Sequence, residues 1–133
     1  VGTFKRKSLY IINIAKRLVT DYNGSVPNDR IYLEQLPGVG RKTANVVLSN
    51  LFNIPAIAVD THVSRVSKRL NLVKESDEVG NIETKLMKYF PRNKWSRLHH
   101  QMVLFGRYIC KAKKPDCINC KLKDYCKNKR TDI

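Results

Sequence analysis

The chain has only four cysteines, at positions 110, 117, 120 and 126 of 133 residues, and that placement limits the fold more than any other feature. Thiols so close in sequence cannot staple distant parts of a chain through disulfides; they favour a local metal site in a reducing compartment. The spacing, Cys110-x6-Cys117-x2-Cys120-x5-Cys126, brackets one close pair with two longer loops. Four thiolates suit zinc or an iron–sulfur cluster. Zinc sites commonly pair two short knuckles, so the asymmetry favours a [4Fe-4S] cluster.

The rest of the chain reads as helix. Phe4, Ile11, Ala15, Leu18 and Tyr22 fall on one stripe, with Ile12 and Val19 beside it, as in an amphipathic helix that Asn23-Gly24 stops. Pro27 is expected to open a second helix through Ile31, Leu33 and Leu36. A third turns Ala44, Val47, Leu48 and Leu51 to one side and ends before Pro55. The buried connector Ala56–Val59 leads to a helix capped by Asp60 and running to about Leu70. Asp77 caps another carrying Ile82, Leu86 and Phe90, and a last one runs from about Trp95 to Ile109. No strict alternation persists, so the expected class is all-α, with segments 1–54 and 55–133 meeting near Pro55. No run approaches the roughly 18 apolar residues of a membrane span. The start, Val1-Gly2-Thr3, has no initiator methionine or signal-peptide pattern, and the chain is read as an intracellular piece that starts mid-protein.

Twenty-six Lys and Arg against eleven Asp and Glu give a net charge of +15, a field that attracts a polyanion and retains it by counterion release. Nucleic acid is the leading partner, with a merely basic protein as the plainer reading. Helix, then Leu36-Pro37-Gly38-Val39-Gly40, then helix is the pattern of a helix-hairpin-helix element. Two glycines let the backbone turn sharply, and the first amides of the next helix lack intrahelical partners at the positive end of its dipole. A phosphate docks there without reading a base. Gly-x-Gly alone also fits an ordinary helix connection; the flanking Leu36, Val39 and Arg41-Lys42 make the string more specific. Gly38, Val39, Gly40 and Arg41 are therefore the expected DNA contacts.

Lys42 falls in the first turn of the third helix, where a cation opposes the dipole and acids are the usual choice. One reading is a nucleophilic amine, which must be unprotonated and so calls for burial in a cleft. The other is a phosphate contact beside the hairpin. Asp60 is first a helix cap, and a carboxylate held by helix amides can also stabilise positive charge on a sugar. His62, His99 and His100 match no ligand spacing with the cysteines and are read as structural or DNA-facing. From Arg107 to Arg130 there are nine Lys or Arg and two acids, so the cysteine loop is also a cationic patch. Lys111, Lys113 and Lys114, pinned between cysteines, are expected to face a phosphate backbone.

Leu36-Pro37-Gly38-Val39-Gly40-Arg41-Lys42-Thr43-Ala44-Asn45, then Val59-Asp60-Thr61-His62, then the four-cysteine spacing together resemble the endonuclease III DNA glycosylases of the helix-hairpin-helix superfamily, in the same order. The resemblance covers nearly the whole chain. It implies part of a helical barrel-like lobe followed by a helical lobe ending in a [4Fe-4S] loop held by Cys110, Cys117, Cys120 and Cys126. It implies a bifunctional enzyme that excises oxidised pyrimidines from damaged double-stranded DNA. Lys42 would attack C1′ to form a Schiff base, Asp60 would assist, and β-elimination would cut the strand at the abasic site. The lesion is first rotated out of the duplex. The family has further helices before the point where this chain begins, so the chain is read as N-terminally truncated. Where the family often has a bulky apolar wedge after a glycine, Thr3 follows Gly2, and no wedge role is carried over. The expected protein is a monomer in the bacterial cytoplasm, associated with the nucleoid through DNA. Two other functions stand beside this one: a mismatch glycosylase without lyase activity, against which Lys42 argues, and a non-catalytic DNA-binding module with a structural zinc.

Overall fold

The computed structural model describes residues 3–128; Gly2, Lys129 and Arg130, which the sequence reading used, lie outside them. The described helices are α1 (Phe4–Tyr22), α2 (Arg30–Gln35), α3 (Arg41–Phe52), α4 (Thr61–Arg69), α5 (Val79–Tyr89) and α6 (Trp95–Tyr108), with a 3-10 turn at Arg92–Lys94. No strand occurs among the described residues, so the fold is all-α as expected. No described helix is long and apolar enough to cross a membrane. The chain divides into two compact units, Val1–Ile54 and Pro55–Ile133.

The core of the first unit is Leu33, Leu36, Ala44 and Leu48, where α2 and α3 pack. Helix α2 starts later than Pro27 led us to expect, because the Asp29 carboxylate accepts the Tyr32 amide at 3.1 Å and makes Asp29 the cap. Helix α3 ends at Asn53, left-handed at φ 53°, whose amide returns to the Leu48 carbonyl. Its stop is thus a left-handed cap, and Pro55 acts only beyond it. Asn23 stops α1 in the same way at φ 52°.

Helix α1 forms over the expected span. Its apolar stripe is open, with Ile11 68% and Val19 62% exposed, and Leu51 of α3 is 58% exposed. From α1 only Ile14 packs on the core cluster. The helix is instead joined to α2 by polar and aromatic contacts. Arg17 Nη1 donates to the Gln35 carbonyl at 3.1 Å, Tyr32 Oη donates to Asp21 at 2.9 Å, and the Tyr22 and Tyr32 rings meet edge-on at 4.8 Å.

The second unit closes over Ile57, Val59, Val63, Val66, Val73, Ile82, Leu86 and Met102. Ala56–Val59 is buried throughout, as its unbroken apolar run predicts. Asp77 does not cap α5: its carboxylate is taken by the Lys74 amide and the Lys85 ammonium, and the helix starts after Glu78 with no side-chain cap. Trp95 Nε1 donates to the Phe90 carbonyl at 2.8 Å and ties the start of α6 to the end of α5.

Helices α4 and α6 pack tightly at Gly106. A β-carbon there would lie 3.1 Å from His62 Cβ and 3.1 Å from Val66 Cγ2. The absent side chain lets the helices approach, and a larger residue has to push them apart. Gly106→Leu is expected to destabilise the second unit by about 1–3 kcal/mol, read from urea unfolding; an unchanged midpoint would show that the helices separate freely.

Candidate functional site

The hairpin is built as its sequence dictates. Leu36 ends α2 in extended backbone, the Val39 amide returns to the Leu36 carbonyl at 3.1 Å, and Gly38 takes φ +74°, a conformation that costs an L residue about 1–2 kcal/mol. Gly40 is the N-cap of α3 and offers no side-chain acceptor to the first-turn amides. Gly38, Gly40 and Arg41 are exposed, and Val39 is half-buried against the core. A turn open to water, followed by an uncapped helix start, can receive a phosphate oxygen.

One residue of this element was invisible in the sequence pattern. A β-carbon on Gly38 would lie 2.4 Å from Cδ2 of Tyr10, so the ring of α1 rests where a side chain would be. Tyr10 is 28 positions away and off the expected apolar stripe, and no periodicity announces the contact. Lys42 is exposed, where the nucleophile reading expects burial in a cleft.

At the start of α4 the Asp60 carboxylate accepts the Val63 amide at 2.8 Å and a hydrogen bond from His62 Nδ1 at 3.1 Å. A carboxylate only accepts, so the Nδ1 of His62 carries the proton. His99 Nδ1 donates likewise to the Ala58 carbonyl at 2.8 Å and steadies the connector that delivers Asp60. Burial pushes the Asp60 carboxyl up, but the Val63 amide, the His62 hydrogen bond and the His62 and His99 charges outweigh it, and its pKa falls below the ordinary 3.8. The group stays ionised, as a charge-stabilising carboxylate must. The pairing with His62 was not read from the sequence, although the i, i+2 spacing was there to suggest it.

Cys110, Cys117, Cys120 and Cys126 line a single cavity of about 30 Å³, walled also by Phe105, Ile109, Pro115 and Leu122. That is more than the roughly 10–15 Å³ that admits one water. Among the described residues no three potential ligands converge on one ion-sized point. Four soft thiol donors around one space have the chemistry to hold either an iron–sulfur group or zinc. Lys111, Lys113 and Lys114 are all exposed on the first loop, where Lys114 is left-handed at φ 48°. Two arginines of α4 reach this loop, also unforeseen: Arg65 donates to the Gly106 and Cys110 carbonyls, and Arg69 touches Cys110 itself.

Comparison with known proteins gives the class first. Residues 1–92 match the family described as HhH-GPD superfamily base excision DNA repair protein, and the chain belongs to that family. Among individual relatives, endonuclease III of Bacillus subtilis (strain 168) is 50% identical over 127 residues, covering 96% of this chain and 58% of the relative. Endonuclease III of Escherichia coli (strain K12) is 45% identical over 134 residues, covering 100% and 63%. A solved structure of a trapped endonuclease III–DNA covalent intermediate superposes with a TM-score of 0.92 at 51% identity, over 96% of this chain and 60% of that one. The chain thus spans about three fifths of the length of the curated relatives it matches.

Gly38→Ala is expected to destabilise the hairpin by about 1–2 kcal/mol from backbone strain alone. Adding Tyr10→Ala should relieve the ring overlap but not the strain, so the double variant remains below wild type in urea unfolding. A double variant equal to wild type would show that the turn has no need of its left-handed residue.

Asp60 links stability to pH. Its folded pKa lies below the ordinary 3.8, so its contribution is complete above that value and is lost as pH falls through the lower folded one. Asp60→Asn keeps a capping oxygen and removes the charge. Wild type should therefore exceed Asp60→Asn in stability near neutral pH, with the gap closing on acidification; a gap independent of pH in urea titrations would contradict this.

Proposed function

We infer that the protein is a bifunctional base-excision enzyme of the endonuclease III type, which removes oxidised pyrimidines from duplex DNA and cleaves the abasic site through a lysine Schiff base. The observation that carries this reading is Lys42 in the first turn after an open glycine hairpin, in a chain whose fold matches, at a TM-score of 0.92, an endonuclease III trapped covalently on DNA. A mismatch glycosylase without lyase activity has no use for a nucleophile at that position.

In this reading the hairpin amides at Gly38, Val39 and Gly40, with Arg41, hold the phosphate backbone, and exposed Lys111, Lys113 and Lys114 add contacts that carry no sequence information. A damaged nucleotide leaves the stack, a step that costs less for a weakened pair. The neutral Nζ of Lys42 bonds to C1′ as the C1′–N bond to the base breaks, and the base leaves with the electron pair and takes up a proton. Asp60, ionised by its hydrogen bonds, stabilises the positive charge that develops on the sugar. The sugar ring opens to a Schiff base between Nζ and C1′. Loss of a C2′ proton then expels the 3′ phosphate by β-elimination, and water frees Lys42.

An unprotonated amine needs dry surroundings, and bound DNA contributes to them by expelling water and lowering the local dielectric around Lys42. Cys110, Cys117, Cys120 and Cys126 would hold a [4Fe-4S] cluster. When bound, it supplies a cross-link that fixes the lysine loop, and it stands outside the bond chemistry.

Borohydride reduction of the protein on a duplex carrying an oxidised pyrimidine tests the reading. A covalent protein–DNA adduct is expected from wild type, and its loss in Lys42→Ala with duplex affinity reduced by no more than about tenfold, as for loss of one charged contact. No adduct from wild type on lesion or abasic DNA, or an adduct that survives Lys42→Ala, would overturn it.

A further inference from the structure

Arg69, the last residue of α4, holds both ends of the cysteine loop. Its Nη1 donates to the Cys110 carbonyl at 3.3 Å, to the Lys111 carbonyl at 2.7 Å and towards Cys110 Sγ at 3.4 Å. Its Nη2 donates to the Ala112 carbonyl at 3.2 Å. At the other end of the loop, the Arg69 carbonyl accepts from Asn128 Nδ2 at 2.6 Å and lies 3.7 Å from Cys126 Sγ, within reach of a thiol S–H. Side chain and main chain of one residue thus clasp the first and last cysteines.

The segment between those cysteines has no helix or strand of its own, so its order has to come from tethers, and closing such a loop costs entropy whether or not metal is present. We propose that Arg69 is a positioning residue for the cysteine cage: it closes the loop before metal enters, and its N–H···S bond tunes the cluster once bound. This rests on the reading that the four cysteines hold a [4Fe-4S] cluster. Arginine suits the task because its planar fork aims several donors at separated acceptors, whereas lysine offers one point of charge. Hydrogen bonds to ligand sulfur raise the potential of iron–sulfur groups, and residues that support ligands commonly change metal affinity by about 10–100-fold. Arg65 provides the contrast: it reaches the start of the loop through the Cys110 and Gly106 carbonyls.

Arg69→Ala and Arg69→Lys separate these roles, because both leave the carbonyl contacts to Asn128 and Cys126 in place. In anaerobically reconstituted protein, Arg69→Ala is expected to release iron to a chelator about tenfold faster than wild type, with a more negative midpoint potential. Arg69→Lys falls between the two. In metal-free protein, amides of residues 110–128 should exchange faster in Arg69→Ala while those of α5 keep their wild-type rates. Wild-type iron release and wild-type potential in both variants would overturn the proposal, as would unchanged amide exchange. A wild-type chain that takes up no iron on reconstitution would overturn the cluster reading alone, and the exchange comparison in metal-free protein would still decide the clasp. If Arg69→Ala does not fold, Arg69→Lys carries the same measurements, and wild-type values there count against the proposal.

Discussion

The contact of α4 with α6 across Gly106 is the constraint on which most of the second unit depends. Helix α4 begins at the Asp60 cap and ends at Arg69, nine residues later, a length of about 13 Å at 1.5 Å per residue. Helix α6 carries His99 near its start, against the connector, and delivers Cys110 just past its end. Fixing these two helices at Gly106 therefore fixes a carboxylate at one end and the entry to the cysteine loop at the other. Arg65 seals the joint by donating to the Gly106 carbonyl in the last turn of α6 and to the Cys110 carbonyl just beyond the helix.

In the first unit a smaller version of the same device recurs. Gly38 is without a side chain for two reasons that coincide, a left-handed backbone and the Tyr10 ring in the space a β-carbon would take. Either reason alone would select glycine. Together they make the turn a shaped seat, with α1 as its back and the uncapped start of α3 as its mouth.

Much of this was legible in the residues, and the boundary of legibility is physical. Asp60 as a cap, Asn23 as a left-handed stop and the buried run Ala56–Val59 depend on a few neighbours in sequence, and the structure has all three. Asp77 failed as a cap because Lys74 and Lys85 competed for its oxygens, and Pro27 because Asp29 caps better. The apolar stripe of α1 was visible, but a period shows which face is apolar and says nothing of what covers it. What stayed hidden were contacts between distant positions: Tyr10 on Gly38, and Arg65 and Arg69 reaching more than forty residues to the cysteine loop. A charged side chain in the last turn of a helix looks like favourable dipole chemistry, and nothing local marks one that spans a loop instead.

The contact of Tyr10 with the hairpin has a consequence for how α1 and the turn move together. The ring occupies the space that a side chain at Gly38 would take, so a shift of α1 along its axis reshapes the back of the turn while Leu33, Leu36, Ala44 and Leu48 keep α2 packed on α3. The outline of the turn is thereby tied to the placing of a helix well ahead of it in the chain.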